Sequence, residues 1–165
     1  MRGFIDRLLV AGKKSEVSRT QTAFRLLLGA VLAFAGLSHL SWSRSEFLAQ
    51  VPDWFPAEAD LVVVLSGVVE VLIGTALLVA PKYRVIVGLG TAAFFVAIFP
   101  GNIAQLVEET DAFGLNSTTS RAVRLLFQPV LVAWALWSTG TWRALRVVTS
   151  PPGTTVAGLV PETPR

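Results

Sequence analysis

The sequence predicts an all-α, polytopic membrane protein, a four-transmembrane-helix bundle with both termini cytoplasmic. Three observations predict it. Charged residues make up 15% of the chain and apolar residues 53%, against roughly 25% charged in soluble domains. The apolar residues fall into four blocks, each near the ~20 residues needed to cross the hydrocarbon. The segments between the blocks alternate in the sign of their charge.

Taken in order, residues 1–21 form a basic cytoplasmic arm, expected to be partly helical on the bilayer surface, with Arg2, Arg7, Lys13, Lys14 and Arg19 against Asp6 and Glu16. The spans are expected at 22–42, 61–80, 84–106 and 121–142 within a membrane domain of residues 22–146. The first is too long for a signal peptide's apolar region and is read as retained. Residues 43–60 and 107–120 form acidic loops, carrying Glu46, Asp53, Glu58 and Asp60 in one and Glu108, Glu109 and Asp111 in the other. In the first, Phe47, Leu48, Trp54 and Phe55 suggest a segment that lies on the membrane or caps the bundle. Lys82, Arg84, Arg143 and Arg146 are basic, which puts their side in the cytoplasm. Residues 147–165, rich in Pro, Gly and Thr, read as a flexible tail.

Several chemistries are excluded. The chain has no cysteine, so it has no disulfide, thiolate metal site or dithiol relay. One histidine and one methionine, Met1, cannot supply a bis-His or His–Met haem pair. No metal-ligand cluster, phosphate loop or Ser–His–Asp spacing is readable. The net charge of +3 reflects cytoplasmic Lys and Arg rather than nucleic-acid binding.

One residue stands out. Glu70 lies inside "LSGVVEVLIGTALL", where a carboxylate costs several kcal/mol unless it is paired, protonated or wet. Helical spacing puts Gly67 and Gly74 on its face. The matching stripes are Arg25, Gly29, Gly36 and His39 in the first span, and Gly88, Thr91, Phe95, Asn102 and Gln105 in the third. The fourth carries Arg121, Arg124, Gln128, Leu131, Ala135 and Ser138. Small residues admit neighbouring helices and polar ones seek partners in lipid, so the stripes are expected to face inward. Arg25 is expected to snorkel to the inner headgroups.

His39, Asn102, Gln105 and Arg124 fall near the outer end, and Glu70 and Gln128 roughly 10–14 Å below it. Pro100, Gly101 and Pro129 are expected to kink the third and fourth spans beside this cluster. The picture is an outward-opening polar pocket with Glu70 at its floor. Glu70 is the candidate catalytic residue. His39, Asn102, Gln105, Arg124 and Gln128 are candidate ligand-binding residues, and Gly67, Gly74, Pro100 and Gly101 structural ones. Two partners for Glu70 are open: Arg124 with an ionised carboxylate, or Gln128 with a protonated one. The second is favoured, because Gln128 matches Glu70 in depth.

Gly67-x-x-Glu70 in the second span, Pro100-Gly101-Asn102 in "FPGNIAQ", "FRLLLGAVLAFAGLSHL" and "RLLFQPVLVAWALW" together resemble the DoxX/DoxD-like membrane proteins of bacteria and archaea. The resemblance implies a multi-pass bacterial inner-membrane protein. It also implies a subunit of a quinone-linked oxidoreductase complex that binds a quinone or lipid and anchors soluble redox enzymes. The expected cofactor is then a non-covalent quinone, and the expected partners are membrane lipids, redox enzymes and a second copy of the chain. The alternative is a non-enzymatic membrane scaffold or small-molecule binder whose polar core is purely structural.

Overall fold

The computed structural model describes residues 2–52 and 54–150. The described residues form helices without strands. Three helical segments are long and apolar enough to cross a membrane: Arg19–His39, Ala59–Val79 and Pro81–Val107. A fourth is reached by joining Thr118–Ser138 to the helix that follows it.

α1 (Arg2–Lys14) precedes the first long helix, α2 (Arg19–His39). Ser18 starts α2 with a capping box: its hydroxyl accepts from the Gln21 N–H, and the Gln21 side chain accepts from the Ser18 N–H. A short α3 (Arg44–Leu48) lies in the following loop. α4 (Ala59–Val79) returns antiparallel to α2, and the two make the most extensive contact in the molecule. After one 3-10 turn come α5 (Arg84–Ala97) and α6 (Phe99–Val107), separated at Ile98. α7 (Thr118–Ser138) packs on both and on α2. α8 (Thr141–Thr149) leaves α7 at 78°.

The α2–α4 contact is set by glycine. A Cβ on Gly36 would strike the Gly67 carbonyl and Val71, and one on Gly74 would strike the backbone of Gly29 and Ala33. The helices therefore touch backbone to backbone, the closest approach open to a helix pair. Leu28, Leu32, Leu77, Phe95 and Ala135 fill the space beside this contact. The stripes read from the sequence face inward: Gly67, Glu70 and Gly74 are the polar and small buried residues of α4, and Arg121, Gln128, Ala135 and Ser138 those of α7. The opposite faces leave large apolar side chains uncovered, among them Leu27, Val31, Phe34, Leu65, Leu72, Leu126 and Phe127. Apolar faces on this scale match lipid rather than water.

The elements depart from the expected bounds and contacts at several points. The 1–21 arm is mostly helix and docks: Leu8 packs with Val85 and Ala144, so α1 and α8 cover one end of the bundle. Within the expected fourth span the helix ends at Ser138 and the chain bends before α8. Gly140 adopts φ +74°, a left-handed conformation open to glycine, and turns the chain into α8. The third span is interrupted at Ile98 beside Pro100, and α7 runs through Pro129 as one helical segment. Arg25 does not snorkel. Its guanidinium is buried and donates to the Leu77 carbonyl, one of the last-turn acceptors that α4 leaves unpaired. Of the expected tail, residues 147–149 are helical, and residues 151–165 lie outside the described residues.

Candidate functional site

Buried polar groups lie at both ends of the core, and those at the end that carries the acidic loops form two sets. The first lies between α2 and α4. His39 and Glu70 are both buried, with Nε2 of His39 3.6 Å from Oε2 of Glu70. Helix geometry brings them together. Every Cα–Cβ bond leans toward the N-terminus of its own helix. In antiparallel helices His39 therefore leans down into the bundle while Glu70 leans up. Gly67 clears the way, since a Cβ there would meet the His39 Cβ.

Ser66 sets the imidazole. Its hydroxyl donates to the Val63 carbonyl at 2.9 Å and lies 3.1 Å from His39 Nδ1. A hydroxyl has a single O–H, and when it points at the Val63 carbonyl Ser66 accepts from Nδ1–H. In the neutral ring Nε2 is then the acceptor, and it faces Glu70. Among the described residues, Glu70 Oε2 has no hydrogen-bond partner. The Nε2–Oε2 gap is just beyond hydrogen-bond range. A protonated Glu70 donating to Nε2 and an ionised Glu70 facing an imidazolium are the two ways to fill it, and they differ only in which atom holds one proton.

The second set lies between α5, α6 and α7. Gln128 donates to the Phe95 carbonyl at 2.6 Å and accepts from Asn102 Nδ2 at 3.0 Å. Arg124 donates to Gln105 Oε1 at 2.8 Å and to Gln50 Oε1 at 2.9 Å, and its guanidinium lies 5.7 Å from the Phe113 ring centre. Pro100 and Gly101 open α6, and Gly101 lies under the Gln50 carbonyl. Neither of the two partners foreseen for Glu70 reaches it. Gln128 and Arg124 are engaged by amides and a carbonyl of their own set, and matching depths by rise per residue left out the lean of the side chains.

Phe47 of α3 lies between the sets. Its ring sits against His39 on one side and, at 4.6 Å between ring centres, against Phe113 on the other. Beyond it a cavity of about 430 Å³ is lined by Phe47, Phe113, Leu115, Ser120, Val123 and Arg124. The cavity thus touches Arg124, while Phe47 stands between it and His39. α3 is tethered by Arg44, which donates to Asp60 through two nitrogens, and by Glu46, which accepts from the Phe113 N–H.

Three participants escaped the sequence reading as site residues. Ser66 had a signal: it precedes Glu70 by four residues and shares its face. Phe47 was noted only as a possible cap, and Gln50 lies in an irregular loop where no periodicity marks it.

Comparison with known proteins corrects the family expectation. No curated protein and no solved structure matches the chain. Residues 28–139 match a domain of unknown function, DUF8561, rather than the DoxX/DoxD-like proteins. The pieces that carried that resemblance have local explanations. Gly67 makes room for the side chain that faces Glu70, and Pro100-Gly101 sits at the break of a span, devices open to any lipid-embedded bundle. The matched region runs from within α2 to the end of α7 and takes in both polar sets, and on that match the chain belongs to the family of the DUF8561 domain.

Proposed function

We propose that this chain is a multi-pass inner-membrane protein that binds a lipid or quinone at its acidic-loop end, with His39 and Glu70 exchanging one proton behind the Phe47 ring. The single observation that carries the reading is Glu70 Oε2, buried without a hydrogen-bond partner among the described residues and facing the acceptor nitrogen of an oriented imidazole. A carboxyl group in that position is costly to a lipid-embedded core, and a purely structural strut would have its oxygens satisfied. Charge supports the orientation. α1, the turn at Lys82 and α8 gather at one end with the basic residues, the acidic loops lie at the other, and both termini are then cytoplasmic. Anchoring of redox enzymes rested on the DoxX resemblance and has no other support.

The second reading, a non-enzymatic scaffold with a structural polar core, is favoured by Asn102 and Gln128. Their bonds to each other and to the Phe95 carbonyl are internal, and they hold α6 and α5 to α7. We assign these two to register and keep His39, Glu70 and Arg124 for the site.

The test is Glu70→Gln in mild detergent, with melting temperature and co-purifying lipid or quinone measured on the same preparation. Loss of ligand with little change in melting temperature is expected. A large fall in stability with ligand retained would leave Glu70 as a strut.

A further inference from the structure

The cavity beside α7 specifies a ligand class. Phe47, Phe113, Leu115 and Val123 make its walls apolar, and the Ser120 hydroxyl and Arg124 guanidinium are its polar groups. Arg124 is half-buried, and among the described residues it makes no ion pair: both of its acceptors are neutral amide oxygens. Amides satisfy N–H groups but leave the charge uncompensated. Two carboxylates at this end are paired with other cations, Asp111 with Arg121 and Asp60 with Arg44, and Glu46 accepts from the Phe113 N–H and makes no ion pair with Arg124 among the described residues. A guanidinium at the edge of a membrane core is costly without a counter-ion. Val123, 55% exposed, joins the cavity wall to the outward face of α7, where an apolar chain can continue along Leu126 and Phe127.

We propose that this cavity holds the headgroup of an anionic phospholipid, its phosphate against Arg124 and Ser120 and its acyl chains along the outer face of α7. The proposal rests on the reading that the acidic-loop end binds a ligand, and it narrows the choice. A quinone brings no charge to Arg124, whereas a phosphate supplies the counter-ion and the paired oxygens that a guanidinium fork matches.

The experiment uses the full chain in mild non-ionic detergent, titrated with phosphatidylglycerol or phosphatidylcholine, with bound lipid counted by native mass spectrometry. Phosphatidylglycerol is expected to bind about tenfold more tightly than phosphatidylcholine, which offers the same phosphate but whose choline ammonium cancels the charge it brings to Arg124. Arg124→Gln is expected to erase that preference. Val123→Trp fills the cavity while leaving Arg124 and its amide partners in place, so it keeps the test decisive if Arg124→Gln misfolds; it too should erase the preference. Equal binding of the two lipids, a preference that survives Val123→Trp, or competition by inorganic phosphate as strong as by the lipid would overturn the proposal. Displacement of phosphatidylglycerol by menaquinone would overturn the anionic class but leave the ligand-site reading standing, and retention of no amphipath at all would overturn both.

Discussion

His39 and Glu70 face each other across the most extensive helix contact among the described residues, Nε2 to Oε2 at 3.6 Å, over a gap kept open by Gly67. The same glycine that lets α2 approach α4 admits the imidazole. Packing and site chemistry are therefore one feature of the sequence, Gly67-x-x-Glu70, read together with His39 at the end of α2.

The glycine contact gives the first prediction. Gly74→Leu must push the backbones of Gly29 and Ala33 away, and should cost ~1–3 kcal/mol. Gly90 has open space where its Cβ would go, so Gly90→Ala should be neutral or slightly stabilising. Thermal unfolding in detergent separates the two, and equal melting temperatures would show that the α2–α4 stripe is not a packing surface.

Arg25 gives the second. Its buried guanidinium satisfies the Leu77 carbonyl in the last turn of α4. Arg25→Met keeps the apolar stem but removes the donor, and should lower stability by about 1–3 kcal/mol. A residue that merely reached the headgroups would tolerate the change, and an unaltered melting temperature would support that role instead.

The third concerns Phe47. Its ring covers the only histidine in the chain. In Phe47→Ala, acylation of His39 by diethyl pyrocarbonate, followed by peptide mass spectrometry, should be several-fold faster than in the parent. Equal rates would mean that Phe47 does not shield the pair.

The all-helical architecture was legible in the sequence because long apolar blocks of about 20 residues favour helices, and the inward stripes because small and polar residues recur at helical spacing. The partner of Glu70 was not. His39 and Glu70 approach only because side chains on antiparallel helices lean toward each other, a displacement that rise per residue does not contain. The role of Arg25 was hidden because an arginine near a helix end suits both a headgroup and a neighbouring helix's free carbonyls. Phe47 and Gln50 come from a loop segment whose path periodicity cannot trace. The family was misread because Gly67-x-x-Glu70 and Pro100-Gly101 answer local packing needs that unrelated bundles share.

Orientation gives the fourth prediction. Reporter fusions at Lys82 and after Thr149 should be cytoplasmic, and fusions at Asp60 and Asp111 external, because the basic residues gather at the end covered by α1 and α8. A fusion after Thr149 that reports outside would invert the assignment of the ligand site to the outer face.

The central claim is that His39 and Glu70 share one proton, and the single imidazole makes it directly measurable. With ¹⁵N-labelled histidine in the detergent-solubilised chain, Nδ1 should carry a proton held by Ser66, and the Nε2 resonance should move when Glu70 is replaced by Gln at the same pH. An Nε2 resonance that is the same in the parent and in Glu70→Gln would contradict the account, because Glu70 would then have no hold on the nitrogen it faces.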